Sequence, residues 1–303
     1  MFSGHVLSIF APGQGSQTPG MLAPWLELPG ARDQIALWSK LASLDLERLG
    51  TTATADEITD TAVTQPLIVA ASLIAFDELS KRGVLPDDTV VAGHSVGELT
   101  AAAIAGVISA DEAVTLAAVR GDAMAQACAI EPTTMAAVLG GDEGDVLDRL
   151  AGLGLVPANR NAAGQIVAAG RVEALAKLAE NPPAKARVRP LATAGAFHTH
   201  FMASAQDAYA AAAAGIAPSE PTTTLLSNSD GLPVTNGADA LNKLVGQVTR
   251  PVRWDLCLAT LRDSGTAAVV ELPPAGTLVG IARRELKGVP SRAIKAPEDL
   301  DSL

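Results

Sequence analysis

Residues 89–105, Thr-Val-Val-Ala-Gly-His-Ser-Val-Gly-Glu-Leu-Thr-Ala-Ala-Ala-Ile-Ala, decide the reading of this chain. Thr89 to Ala92 is a short apolar run of strand type, and Glu98 to Ala105 is helix-compatible. Between them lies Gly93-His94-Ser95-Val96-Gly97. A strand, a Gly-x-Ser-x-Gly turn and a helix make a nucleophile elbow, which presents a serine hydroxyl at the top of a sheet. The two glycines predict a close pass of strand and helix, where a Cβ would clash. The helix N-terminus, aimed at the same spot, would stabilise an oxyanion.

A chain of 303 residues buries a large core and is expected to divide into two units. With 48% hydrophobic and 18% charged residues it is globular rather than disordered. A net charge of −11 argues against nucleic acid or an anionic membrane as partner. Cys128 and Cys257 have no metal or redox spacing and read as reduced thiols. Val6 to Phe10 is too short for a signal core, and no run reads as membrane-spanning, so a cytoplasmic protein is expected.

Outward from the elbow, His5 to Ala11 reads as a buried strand ended by Pro12-Gly13-Gln14-Gly15. Gln65-Pro66 opens a helix through Leu79 with proline in the first turn, and another runs from about Asp111 to Ala127, capped by Ser109 or Asp111. From about Thr134 the order becomes strand (135–139), helix (142–150), strands (155–159 and 165–169), helix (172–179) and strand (187–192). This βαββαβ order is that of a ferredoxin-like unit inserted into a βα chain. Helices at 201–214, from 238, at 254–263 and at 277–286 follow, with a strand at 267–272 and a polar surface tail after Gly288.

Ser95 needs a base. Of four histidines, His5 begins a strand, His94 should point away from Ser95, and His198 or His200 is the expected base. A third acid, such as Asp142 or Asp148, is not marked out. Arg120 shares a helical face with Ala113, Leu116, Ala117 and Met124, so it either snorkels or anchors an anion. The loop Gly13-Gln14-Gly15-Ser16-Gln17 lacks the third glycine of a dinucleotide site, and Asp33 lies in a helical pattern; the loop suits a second oxyanion donor instead.

Together, Pro12–Gln17, Thr64-Gln65-Pro66, Gly93–Glu98, Arg120-Gly121, Ala196-Phe197-His198 and Pro251–Trp254 resemble the bacterial malonyl-CoA:acyl carrier protein transacylases over essentially the whole chain. The resemblance implies an α/β-hydrolase-like large subdomain (1–130 and 196–303) with an inserted ferredoxin-like subdomain (131–195). It implies that malonyl-CoA acylates Ser95, with His198 rather than His200 as base and the N–H groups of Gln14 and Val96 as oxyanion hole. It gives Arg120 the malonyl carboxylate, Met124, Gln65 and Phe197 the acyl pocket, and Asn159 and Asn161 the approach of the coenzyme arm. The main-chain carbonyl of Gln247 would orient His198 in place of an acid. Ala-Phe-His resembles the malonyl-selective form, in which bulky Phe197 crowds out an α-methyl branch. Pro273-Pro274-Ala275-Gly276 departs from the family's Gly-Pro-Gly.

The implied cycle is ping-pong, from malonyl-CoA to the phosphopantetheine thiol of acyl carrier protein, with no bound cofactor or metal and a monomeric enzyme. An acidic carrier meeting an acidic chain needs a local basic patch. Lys185, Arg187 and Arg189 are candidates, as are Arg283, Arg284 and Lys287. A thioesterase or esterase would share the elbow but not need Arg120, and a non-catalytic carrier-binding module gives no reason for Ser95, His198 and Arg120 together.

Overall fold

Strand β1 (Leu7–Ala11) is buried along its whole length, the mark of a central parallel strand covered on both faces. The computed structural model describes residues 6–303; His5 lies outside the described residues. After β1 come helices α1 (Ala31–Ala42), α2 (Leu46–Thr51) and α3 (Thr61–Lys81), the elbow strand β2 (Val90–Gly93), α4 (Gly97–Ile104) and α5 (Ala110–Cys128). The inserted stretch holds β3 (Thr133–Gly140), α6 (Glu143–Gly152), β4 (Val156–Ala162), β5 (Gln165–Arg171), α7 (Val172–Glu180) and β6 (Ala186–Pro190). The chain closes with α8 (Ala203–Ala213), β7 (Thr224–Leu226), α9 (Gly237–Gln247), α10 (Trp254–Asp263), β8 (Ala268–Glu271), α11 (Thr277–Glu285) and β9 (Ser291–Ala293).

Five strands form one parallel sheet, β7-β2-β1-β8-β9. Alternation along β1 sorts its two faces. Leu7 and Ile9 join the core under α1, α3, α4 and α5, while Phe10 joins a second core with α10 and α11 and meets Trp254 edge-on at 5.0 Å. The remaining strands form an antiparallel sheet, β4-β5-β3-β6, the ferredoxin-like order. One face of that sheet packs Ala136, Val138, Ile166 and Ala168 against Val146, Leu150, Leu175 and Leu178 of α6 and α7. Its other face turns towards the large sheet. The two are stitched where Val252 bonds across β4, donating to the Ala158 carbonyl at 2.8 Å and accepting from the Arg160 N–H at 2.9 Å. The fold is thus an α/β-hydrolase-like sheet with an inserted ferredoxin-like unit.

Three expectations are corrected. Helix α3 begins at Thr61, where Asp60 caps the Ala62 N–H at 2.8 Å, so Pro66 lies inside the helix rather than in its first turn. By length and composition α3 could cross a membrane, contrary to the reading that no run is apolar enough; here it is a core helix, buried for most of its length and packed on α5. The tail after Gly288 is not only surface, because β9 extends the sheet beside β8 and Ile294 and Leu300 are buried. The expected glycine contacts are observed: a Cβ on Gly93 would lie 2.1 Å from the carbonyl of Gly97, and one on Gly97 would lie 2.2 Å from that of Ala11.

Candidate active site

Ser95 sits between β2 and α4 with φ +55°, the left-handed conformation that an elbow imposes on its central residue. Asn228, which follows β7, holds that turn from both sides. Its Oδ1 accepts the Ser95 N–H at 2.9 Å and its Nδ2 donates to the Gly93 carbonyl at 2.7 Å. The Ser95 Oγ lies 2.8 Å from Nε2 of His198, itself at φ +60°. The Nδ1 of His198 lies 2.8 Å from the main-chain carbonyl of Gln247. A carbonyl can only accept, so Nδ1 carries the hydrogen and Nε2 is left to take the serine proton. Burial, reinforced by the Arg120 charge, pushes the His198 pKa down to about 3, so the ring is neutral at ordinary pH.

Arg120 is 2% exposed. Its Nη1 donates to Gln65 Oε1 at 2.6 Å, and its Nη2 to Gln247 Oε1 at 2.9 Å and to Ser95 Oγ at 3.3 Å. Among the described residues no carboxylate lies within ion-pair distance of it. This buried guanidinium is thus held by neutral amides, with one edge on the nucleophile and its charge unpaired by any of these partners. Snorkelling is excluded by its burial.

These groups open on one cleft of about 530 Å³ between the two sheets. Gln14, Gln65, Ser95, Val96, Arg120, Met124, Asn159, Asn161, Phe197 and His198 all line it. Among the described residues the backbone N–H groups of Gln14 and Val96 make no bond to a protein acceptor, which leaves both for a developing oxyanion. His94 was expected to turn away from Ser95, yet it lines the same cleft. Its Nε2 lies 2.8 Å from Asn161 Oδ1 and its ring meets Trp254, because the inserted unit supplies β4 as a partner there.

Other candidates fall elsewhere. His200 is exposed and stacks on Phe201, Asp142 caps α6, and Asp33 lies exposed on α1. Lys185, Arg187 and Arg189 lie outside the cleft on the edge around β6. Arg187 and Arg189 pair with Leu139 and Ala137 across the ladder, so they share the sheet face that lines the cleft. Arg284 of α11 reaches Gln165 Oε1, itself on the cleft lining, at 2.5 Å. The Pro273–Gly276 loop is fixed by Glu271, whose carboxylate accepts the N–H groups of Gly276, Leu278 and Val279. Sequence reasoning missed Asn228, Glu98 and Glu271. An acid directly after the elbow glycine, in an apolar helix start, was the available signal for Glu98.

An acyl transferase domain model matches residues 9–297. The chain belongs to the acyl transferase family. The malonyl CoA-acyl carrier protein transacylase of Mycolicibacterium smegmatis is 72% identical over 287 residues, 93% of this chain and 99% of the relative. The crystal structure of MCAT from Mycobacterium tuberculosis superposes with a TM-score of 0.96 at 69% identity, covering 98% of this chain and 99% of that one. A malonyl-transacylase solved in complex with its type II PKS acyl-carrier protein superposes with a TM-score of 0.92 at 28% identity over 99% of this acyl transferase and 98% of that chain.

Proposed function

We propose that this acyl transferase moves a malonyl group from malonyl-CoA to the phosphopantetheine thiol of an acyl carrier protein, through a malonyl ester on Ser95, in fatty-acid synthesis. The observation that carries the choice of acyl group is Arg120, a buried cation 3.3 Å from the nucleophile with no carboxylate in ion-pair reach among the described residues. The malonyl carboxylate takes that guanidinium edge, which places the thioester carbon beside Ser95 Oγ. His198 Nε2 takes the hydroxyl proton as Oγ bonds to the carbonyl carbon. The oxyanion rests on the Gln14 and Val96 N–H groups until the C–S bond breaks and coenzyme A leaves with the proton from His198. The carrier thiol then gives its proton to His198, attacks the ester carbonyl and releases Ser95.

In this reading Gln65, Met124 and Phe197 shape the acyl pocket, Asn159 and Asn161 line the approach of the coenzyme arm, and the Gln247 carbonyl orients the base. Residues 1–130 and 196–303 form the catalytic subdomain and 131–195 the inserted one, whose β6 edge offers Lys185, Arg187 and Arg189 to the carrier. The enzyme works as a cytoplasmic monomer without a bound cofactor or metal, and neither nucleic acid nor a membrane is a partner. The test is intact mass after brief mixing with malonyl-CoA or acetyl-CoA. A malonyl adduct on Ser95, little acetyl adduct, and clearance by holo carrier protein are expected. Release of coenzyme A without an adduct would instead make the chain a thioesterase.

A further inference from the structure

Glu98 is the second residue of α4, 4% exposed, and does not line the cleft. Two of the donors to its carboxylate belong to the site. One oxygen takes the Asn228 backbone N–H at 2.5 Å, and the other takes the side-chain Nε2 of Gln247. Those two residues hold nearly everything around the nucleophile. Asn228 clamps the elbow at Ser95 and Gly93. Gln247 presents Oε1 to Arg120, donates from Nε2 to the Ser95 carbonyl at 3.1 Å and, through its main chain, holds His198.

The Gln247 amide can face two ways, and its neighbours choose between them. Arg120 can only donate, so the amide oxygen must face it; an ionised Glu98 can only accept, so the amide nitrogen must face that. The two demands agree. The Ser95 carbonyl and Asn228 Oδ1 also accept from that nitrogen, at 3.1 and 3.2 Å, but Glu98 is the charged one of the three acceptors. A neutral group at position 98 weakens the hold on the nitrogen, since a hydrogen on the carboxyl oxygen that faces Gln247 would meet the one Gln247 already points there. Turning the amide to accept it would bring N–H against the guanidinium. We propose that Glu98 is a positioning residue, whose carboxylate fixes the Gln247 amide so that Arg120 is held ready for the substrate's carboxylate. The role rests on the malonyl-transfer reading above.

Burial pushes Glu98 up to about 7, opposed by its bonds to Asn228, Gln247 and Ser227 and by the charge of Arg120. The groups facing it are Arg120 on α5, Tyr209 on α8 and Cys257 on α10, with Lys243 of α9 beside it and paired to Asp230 and Asp239. The Gln247 carbonyl that holds His198 does not depend on the amide's orientation. Loss of the Glu98 charge therefore acts on the grip of Arg120 more than on the Ser95–His198 pair, and the readout is the preference for malonyl over acetyl.

The experiment measures kcat/KM of Ser95 acylation by malonyl-CoA and by acetyl-CoA between pH 5.5 and 8.5, in the wild type and in Glu98→Gln. A malonyl carboxylate stays ionised across that range. In the wild type the malonyl-to-acetyl ratio should fall by about tenfold from pH 8.5 to 5.5, the loss of one charge-assisted hydrogen bond. In E98Q it should be low and flat. A wild-type ratio independent of pH would overturn the proposal, also where E98Q does not fold. So would an equal loss of both thioesters in E98Q, which a merely structural role would give. Absence of any malonyl adduct on the wild type would bring down the transfer reading instead.

Discussion

Replacing His198 by glutamine tests whether the base is held neutral by the fold. Burial, then the Arg120 charge, lowers the His198 pKa from 6.5 to about 3. Below pH 6.5 the unfolded chain takes up a proton that the folded chain refuses, so this residue's contribution to stability falls as pH drops towards 3. The whole window corresponds to about 5 kcal/mol, and the part between pH 6.5 and 4.5 to about 3 kcal/mol. Glu98 runs the other way. Its pKa is raised from 4.5 to about 7, so between those values the folded chain keeps a proton that the unfolded chain gives up, and stability from this group grows by about 3 kcal/mol as pH falls. In the wild type the two nearly cancel from pH 7 to 4.5. In H198Q only the Glu98 gain remains. At roughly 2 °C per kcal/mol for a chain of this size, the Tm of H198Q minus that of the wild type should rise by about 6 °C between pH 7.5 and 4.5. Thermal unfolding by circular dichroism at the two pH values measures it. A difference that stays constant would mean that His198 accepts a proton in the fold as readily as in the unfolded chain, and the neutral-base argument would fail.

Arg120→Ala removes a charge-assisted pair with the malonyl carboxylate, so kcat/KM for malonyl-CoA should fall by roughly 10- to 150-fold while that for acetyl-CoA changes far less; retained malonyl preference would refute the anchor. Gly97→Ala places a Cβ 2.2 Å from the Ala11 carbonyl, so the variant should lose about 3 kcal/mol or fail to fold, read as a Tm drop of about 6 °C. Charge reversal at Lys185 and Arg187 should leave malonyl-CoA acylation intact and slow transfer to the carrier severalfold at low salt, measured from preformed malonyl-enzyme. An unchanged transfer rate would move the carrier to another rim, such as that of Arg284.

The elbow was legible because its constraints are local. Gly93 and Gly97 are needed for space, and the apolar run before Ser95 and the helix after it are short-range patterns. The inserted unit was legible for the same reason, since β3 to β6 and α6, α7 each carry their own period and turn. Most of α3 could be read, but its first turn could not, because Pro66 imitates a first-turn proline and only Asp60 marks the true cap. Strands β7 and β9 have three residues each, too few for a period, and exist because β2 and β8 have edges to pair.

By itself the sequence determined the strand–turn–helix that strains Ser95, the order of the two units, and, by resemblance, a family that uses Ser95, His198 and Arg120. Tertiary structure alone decided where those groups sit and what they touch. Choosing His198 over His200 by geometry required Gln247 to arrive from 49 residues away with a carbonyl. Proposing Arg120 as an anchor rests on its burial with no acid in ion-pair reach among the described residues, and finding Glu98 and Asn228 required the folded network. The physical reason is that a titratable group takes its charge, and an amide its orientation, from neighbours in space, and those neighbours come from distant parts of the chain.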